Sequence, residues 1–143
     1  GNFFMQPNGV LAWNSKTATL LTTAQYKKQS LTPQAFKADY ATQSGPMLVM
    51  KGQINPQFVA DGTSLKIRNG VGVKNNQLYF VMSRDRVNFY QFATFFKNDL
   101  NVEDALYLDG SISSVYIPQA KRHDRRYALG PMLAVVEKSH CEK

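Results

Sequence analysis

Ala105-Leu106-Tyr107-Leu108-Asp109-Gly110-Ser111-Ile112-Ser113-Ser114-Val115-Tyr116 is the stretch from which the rest of the chain is read. A short apolar run passes at once into Asp-Gly, the pattern of a strand ending in a tight turn, with glycine supplying backbone freedom. Such a strand end brings a carboxylate, open N–H groups and several hydroxyls to one rim, a common place for chemistry. The plain alternative is an ordinary turn in which Asp109 caps the backbone.

Just upstream, Phe89, Phe92, Ala93, Phe96 and Leu100 recur at three- and four-residue spacing. This stripe predicts a helix over about 88–100 lying against a sheet, with Asn88 as its N-cap. The same spacing reads as core packing rather than as an aromatic ligand platform. Further out, Gly9–Trp13 and Thr17–Thr22 read as a hairpin joined by Asn14-Ser15-Lys16. Met47–Met50 and Ile54 flank a compact turn at Lys51-Gly52. Leu65–Lys74 and Gln77–Ser83 form a second hairpin across Asn75-Asn76, a pair that tolerates positive φ. Leu78, Phe80 and Met82 alternate with Tyr79 and Val81, so both faces of that strand are expected to be covered. Met132–Val136 reads as a final buried strand. The fold class expected is α+β: a single domain with a mixed or antiparallel sheet and one main amphipathic helix.

At 143 residues and 43% hydrophobic, the chain has the size of one domain with one core. No apolar run approaches the roughly 20 residues of a membrane span, and the opening residues lack the basic start and apolar stretch of a signal peptide. The single Cys141 excludes an internal disulfide, and without a Cys/His cluster zinc is not expected. Of the seventeen Lys and Arg that set the net charge of +7, four lie in Lys121-Arg122-His123-Asp124-Arg125-Arg126. This run, between Pro118 and the Leu129-Gly130-Pro131 turn, is expected to be an exposed loop. It suits an anionic polysaccharide or a phosphorylated substrate, or is simply a solvated face. Nucleic acid is not an expected partner, because the aromatics cluster elsewhere and no recognition motif is present.

Several chemical classes drop out on spacing. Gly70-Val71-Gly72 lacks the third glycine and the following helix of a dinucleotide fingerprint. Ser44 and Ser111 do not sit in a Gly-x-Ser-x-Gly elbow, and neither His123 nor His140 has a nucleophile or metal partner nearby in sequence. Arg68 and Asp109 remain, with Ser44, Asn69, Gly110, Ser111 and Ser113 as polar support. Arg68 stands in an otherwise apolar strand, where a guanidinium is costly unless it meets a carboxylate or an anionic ligand. It forms a salt bridge pinning two strands, with Asp109 as one candidate partner, or grips phosphate oxygens, and the two readings are not exclusive.

Four further segments share the look of polar residues set tightly between strands: Ala41-Thr42-Gln43-Ser44-Gly45-Pro46, Ile67-Arg68-Asn69-Gly70-Val71-Gly72-Val73, Val87-Asn88-Phe89-Tyr90-Gln91-Phe92-Ala93 and Leu129-Gly130-Pro131-Met132. With 108–113, and in this order, they resemble the phosphodiester glycosidase family, which includes the lysosomal mannose 6-phosphate uncovering enzyme. The resemblance runs from Gly1-Asn2-Phe3-Phe4 to Val135-Val136. It is nearest to the bacterial branch related to exopolysaccharide biosynthesis, where Leu108-Asp109-Gly110-Ser111-Ile112-Ser113 fits better than the glycine-rich animal version. The family's usual N-terminal portion, with an Asn-Ala-Gly-type motif, has no counterpart here. Residues 1–143 are therefore expected to be the C-terminal major part of one such domain, its sheet completed by that segment or by a second copy.

The resemblance implies hydrolysis of a sugar-1-phosphodiester, outside the cytoplasm, with no required cofactor and a divalent cation left open. It implies Arg68 at the phosphate and Asp109 at the sugar or water as catalytic groups. Ser44, Gly45, Asn69, Gly70, Gly110, Ser111 and Ser113 are the implied substrate contacts, the Gly110 and Ser111 amides adding oxyanion or hydroxyl contacts. The alternative is a non-catalytic module on the same fold that binds an anionic glycan.

Overall fold

Two pairs of residues with left-handed backbone decide where the chain doubles back. Asn75 (φ 50°) and Asn76 (φ 61°) form one of these turns, and Lys51 (φ 49°) and Gly52 (φ 71°) form the other, each between two consecutive strands. The strands are β4 (Met47–Met50), β5 (Gln53–Ile54), β6 (Asn69–Lys74) and β7 (Gln77–Met82). Positive φ at both central residues matches the natural twist of antiparallel strands, so each turn fixes its register. A third hairpin joins β1 (Gly9–Trp13) to β2 (Ala18–Thr22). There Asn14 Oδ1 accepts from Lys16 N and Thr17 N, both at 2.9 Å.

The computed structural model describes residues 5–32, 36–125, 130 and 132–137. The chain divides into two compact units, Gly1–Ser113 and Ser114–Lys143. The fold class is α+β, with antiparallel sheets and one main helical segment, as the sequence leads one to expect.

In the first unit β8 (Asp104–Asp109) lies between β4 and β6 in a five-stranded sheet ordered β5-β4-β8-β6-β7. A three-stranded sheet, β2-β1-β3, includes β3 (Tyr40–Ser44). Side chains alternate across β8, so Leu106 packs with Leu11, Leu20, Met47 and Val71 of one apolar cluster. Ala105 and Tyr107 pack with Phe89, Phe92, Ala93 and Phe96 of the other. The central strand is thus covered on both faces. β7 shares in this, its Tyr79 and Val81 packing on one cluster and its Leu78 on the other.

Helix α2 (Phe89–Thr94) starts at Asn88 through a reciprocal cap. Gln91 N donates to Asn88 Oδ1 at 2.8 Å, and Asn88 N donates to Gln91 Oε1 at 3.0 Å. Asn88 Nδ2 also ties down the preceding loop through Ala60 O and Gly62 O. The expected single helix over 88–100 differs in one respect. Its second part, Phe95–Asp99, is wound as a π-helix, with Leu100 N bonding Phe95 O. Phe96 is fully enclosed while the adjacent Phe95 is 40% exposed. Gly70 and Gly72 make the bed for this helix: a Cβ on Gly72 would come within 2.9 Å of Phe96, and one on Gly70 within 3.2 Å of Phe92. A short helix α1 (Thr23–Gln29), which the sequence reading did not anticipate, begins at the capping box of Thr22 and Gln25.

The second unit is small. β9 (Tyr116–Ile117) pairs antiparallel with β10 (Arg122–His123), so the basic run is partly strand rather than all loop. Arg122 Nη2 bonds Asp124 Oδ2 at 3.1 Å, which neutralises part of that run. Met132–Val136 is not the buried strand its composition suggests: residues 132–137 carry no strand, and Met132 and Val135 are 75% and 79% exposed. An apolar run becomes a strand only where an edge takes up its backbone groups, and no described strand pairs with it. The opening Gly1-Asn2-Phe3-Phe4, Arg126, Leu129 and Pro131 of the expected turn, His140 and Cys141 lie outside the described residues. Among the described residues no helix is long and apolar enough to cross a membrane.

Asp104 opens β8 and accepts the Lys51 N–H at 3.1 Å. Burial pushes its carboxyl pKa up, with Glu103 adding to the rise and Lys51 opposing it. A carboxyl raised in the fold weakens the fold once ionised. That penalty is absent below the ordinary aspartate value of about 3.9 and complete above the raised value. Asp104→Asn keeps an acceptor for Lys51 and removes the charge. It is expected to raise the melting temperature at pH 7, with the gain shrinking toward zero as pH falls below about 3.9; melts at both pH values check this.

Candidate active site

The site grows from a slip in the β6–β8 ladder. Gly70 pairs with Tyr107 but Asn69 pairs with Asp109, leaving Leu108 unopposed as a bulge. Two side chains take up the groups the bulge frees. Ser44 Oγ donates to Leu108 O at 3.0 Å, and Asp109 N donates to Asn69 Oδ1 at 3.1 Å. Asn69 Nδ2 in turn donates to Ser113 Oγ at 3.0 Å, and the Ser113 hydroxyl donates to Ile67 O at 3.1 Å. Residues far apart in sequence (Ser44, Asn69, Asp109 and Ser113) are therefore brought together at one strand end.

The Asp109 carboxylate is gripped by the loop that follows it. Oδ1 accepts from Gly110 N at 2.6 Å and Ser111 N at 2.9 Å, and Oδ2 accepts from Ile112 N at 3.1 Å. The backbone-capping reading of Asp109 is therefore correct in geometry. The Gly110 and Ser111 amides implied for the substrate donate to this carboxylate instead. Both are adjacent to the aspartate, so the short Asx-type loop satisfies them locally. Ser111 itself is exposed on the rim.

Gly110 is not in the left-handed region, so the turn does not use its conformational freedom. It is small for want of space: a Cβ there would strike the Tyr107 hydroxyl and lie 3.4 Å from Ile67 O. Gly45 behaves alike, since its Cβ would strike Asn8 Oδ1. Next to it, Pro46 O accepts from Tyr107 N at 3.1 Å, which fixes the Ser44-Gly45-Pro46 corner beside β8.

Arg68 is placed differently from the sequence expectation. It precedes β6 rather than lying within a strand, because its N–H goes to Ser83 Oγ at 2.9 Å. Its side chain is 0% exposed. Nε donates to Val87 O at 2.9 Å and Nη2 to Ser64 O at 2.7 Å, and the guanidinium lies 3.7 Å above the Phe89 ring. Nη1 is buried and meets no acceptor in good geometry among the described residues. Burial pulls the guanidinium pKa down, and the Tyr107 phenol offsets part of that pull. No ion pair joins Arg68 to Asp109 among the described residues, so the strand-pinning salt bridge is replaced by backbone carbonyls and aromatic faces. Gly70 likewise is buried, within 2.8 Å of Leu106 O for an added Cβ, and packs the helix rather than facing the cluster. Alternation explains the contrast: Asn69 turns to the site while its two neighbours turn inward. Among the described residues no three His, Cys, Asp or Glu side chains are grouped for a metal ion.

The comparisons then give a family to this α+β unit, whose Asp109 carboxylate is held by backbone amides at a strand end. Residues 2–135 match the sequence profile of the phosphodiester glycosidase family, and the chain belongs to that family. It is similar to the uncharacterized protein YigE of Escherichia coli (strain K12), with 38% identity over 139 residues. That match covers 96% of this chain and 52% of YigE, so the chain spans about half the length of this curated relative. No solved structure matches.

Asn69→Ala removes both the acceptor for Asp109 N and the donor to Ser113. The expected loss is about 1–2 kcal/mol, the usual cost of stranding a partly buried polar group. Urea unfolding of the variant beside the wild type measures it.

Proposed function

We propose that the protein hydrolyses a sugar joined through its anomeric carbon to a phosphodiester, releasing the free sugar and a phosphomonoester. The site of action proposed is envelope or exopolysaccharide metabolism outside the cytoplasm, which rests on the family alone. The observation that carries the reaction is the Asp109 carboxylate, fixed by three loop amides at a strand end in a phosphodiester glycosidase.

Such a reaction suits a sparse site. Water adds its oxygen to the anomeric carbon and gives up a proton, while the bond from that carbon to the phosphate oxygen breaks and its electron pair leaves on the phosphomonoester. That leaving group is already good, so it needs less protonation than the sugar alcohol for which two carboxylates flank the bond. One carboxylate then works on the sugar or water side, as nucleophile or as base to the water. Asp109 takes this role, with Ser44, Asn69 and Ser113 holding its surroundings and Ser111 offering a hydroxyl at the rim. While enclosed, Arg68 is assigned no hold on phosphate.

The test uses the intact protein and a synthetic α-N-acetylglucosamine-1-phospho-6-mannoside, following release of free N-acetylglucosamine. Turnover is expected in the wild type. Asp109→Asn keeps an acceptor for Gly110 and Ser111 and is expected to lower kcat about 10²–10⁴-fold while the variant stays folded. Saturable binding of the diester without release would support the non-catalytic glycan module instead. Undiminished turnover in folded Asp109→Asn would remove Asp109 from the chemistry.

A further inference from the structure

We infer that Tyr107, held by Arg68, is a positioning residue that sets the Asp109 carboxylate by supporting Gly110 from below. The inference rests on the glycosidase reading for its catalytic consequence and on packing alone for its mechanical one.

Tyr107 lies two residues before Asp109 on β8 and is 1% exposed. Its hydroxyl fills the space where a Gly110 side chain would stand, with Cζ only 3.2 Å from that point. Gly110 therefore rests directly on the phenol. Its N–H, together with that of Ser111, holds Asp109 Oδ1. The height of the phenol oxygen thus sets the position of the peptide that aims the carboxylate.

The phenol is itself fixed from behind. The Tyr107 ring meets Phe89 edge-on at 4.8 Å, and the Arg68 guanidinium lies over the same Phe89 ring, 3.7 Å from its centroid and 5.5 Å from that of Tyr107. Two of the three guanidinium nitrogens are pinned to Val87 O and Ser64 O. Planar, permanently charged and stacked, the guanidinium is a stiffer support than a lysine would be. A buried cation with no carboxylate partner among the described residues is costly, and an apolar residue of the same size would fill the space more cheaply. What a guanidinium adds is a fixed polar neighbour for the phenol, and through it a fixed seat for the loop.

The experiment is a double-mutant cycle in the intact protein with Tyr107→Phe, Gly110→Ala and their combination. Each is read by kcat and KM on the sugar-1-phosphodiester and by amide exchange at Gly110 and Ser111. Tyr107→Phe keeps the ring and removes the seat. It is expected to lower kcat about tenfold with KM within about twofold, since small misplacements of a reacting group act on the chemical step. It is also expected to speed exchange of the two amides several-fold. Gly110→Ala should cost about 10²-fold in kcat alone, and less when Tyr107→Phe has cleared room for the methyl group. Wild-type kcat and wild-type exchange in Tyr107→Phe would overturn the inference, as would an equal Gly110→Ala penalty in both backgrounds. If Tyr107→Phe does not fold, Arg68→Lys replaces it: faster exchange at Gly110 and Ser111 supports the inference and unchanged exchange overturns it. If the wild type turns over no sugar phosphodiester, the glycosidase reading fails, while the exchange measurements still decide the mechanical part.

Discussion

The structure depends on β8 being flanked by a strand on each side and covered on each face. Its backbone must pair with both β4 and β6, and its side chains must fill two apolar clusters at once. A strand so constrained cannot shift by a residue without turning Leu106 and Tyr107 into the wrong layers. The slip it carries against β6, at Leu108, lies at its end and is absorbed by Ser44 and Asn69. A rigid strand that ends in a bulge supported by side chains delivers Asp109 to a fixed point. The site is a consequence of how the sheet closes.

Arg68 shows the same economy from the opposite side. Charge at a strand end invites a functional reading, yet this guanidinium is sealed behind Phe89 and Tyr107 and its bonds go to backbone oxygens. Stacking and carbonyl dipoles stand where a carboxylate partner would otherwise be needed. The guanidinium packs on Phe89 and Tyr107 rather than facing the Asp109 carboxylate, so its influence passes through what it packs against.

Much of this was legible in the residues. The Asn75-Asn76 turn, the Lys51-Gly52 turn, the Asn88 cap and the Phe89–Leu100 stripe are local signals, and local backbone geometry obeys them. Helix α1 was legible too, in Thr22-Thr23-Ala24-Gln25, a capping box that the strand preceding it concealed. The convergence of Ser44, Asn69, Asp109 and Ser113 depends on sheet order, which no local pattern carries; the family resemblance supplied it. Other readings missed for physical reasons. Gly110 is glycine for space rather than for φ, and a missing side chain looks the same in either case. Gly70 packs a helix because alternation points it inward. Met132–Val136 has strand composition, but composition does not provide the edge a strand requires.

The central claim is that the bond broken is the one between the anomeric carbon and oxygen. The most direct measurement is hydrolysis of a sugar-1-phosphodiester by the intact protein in water enriched in oxygen-18, with mass analysis of both products. The account predicts the heavy oxygen on the anomeric carbon of the released sugar and none in the phosphomonoester. Label in the phosphomonoester would mean attack at phosphorus, and would contradict a glycosidase built around Asp109.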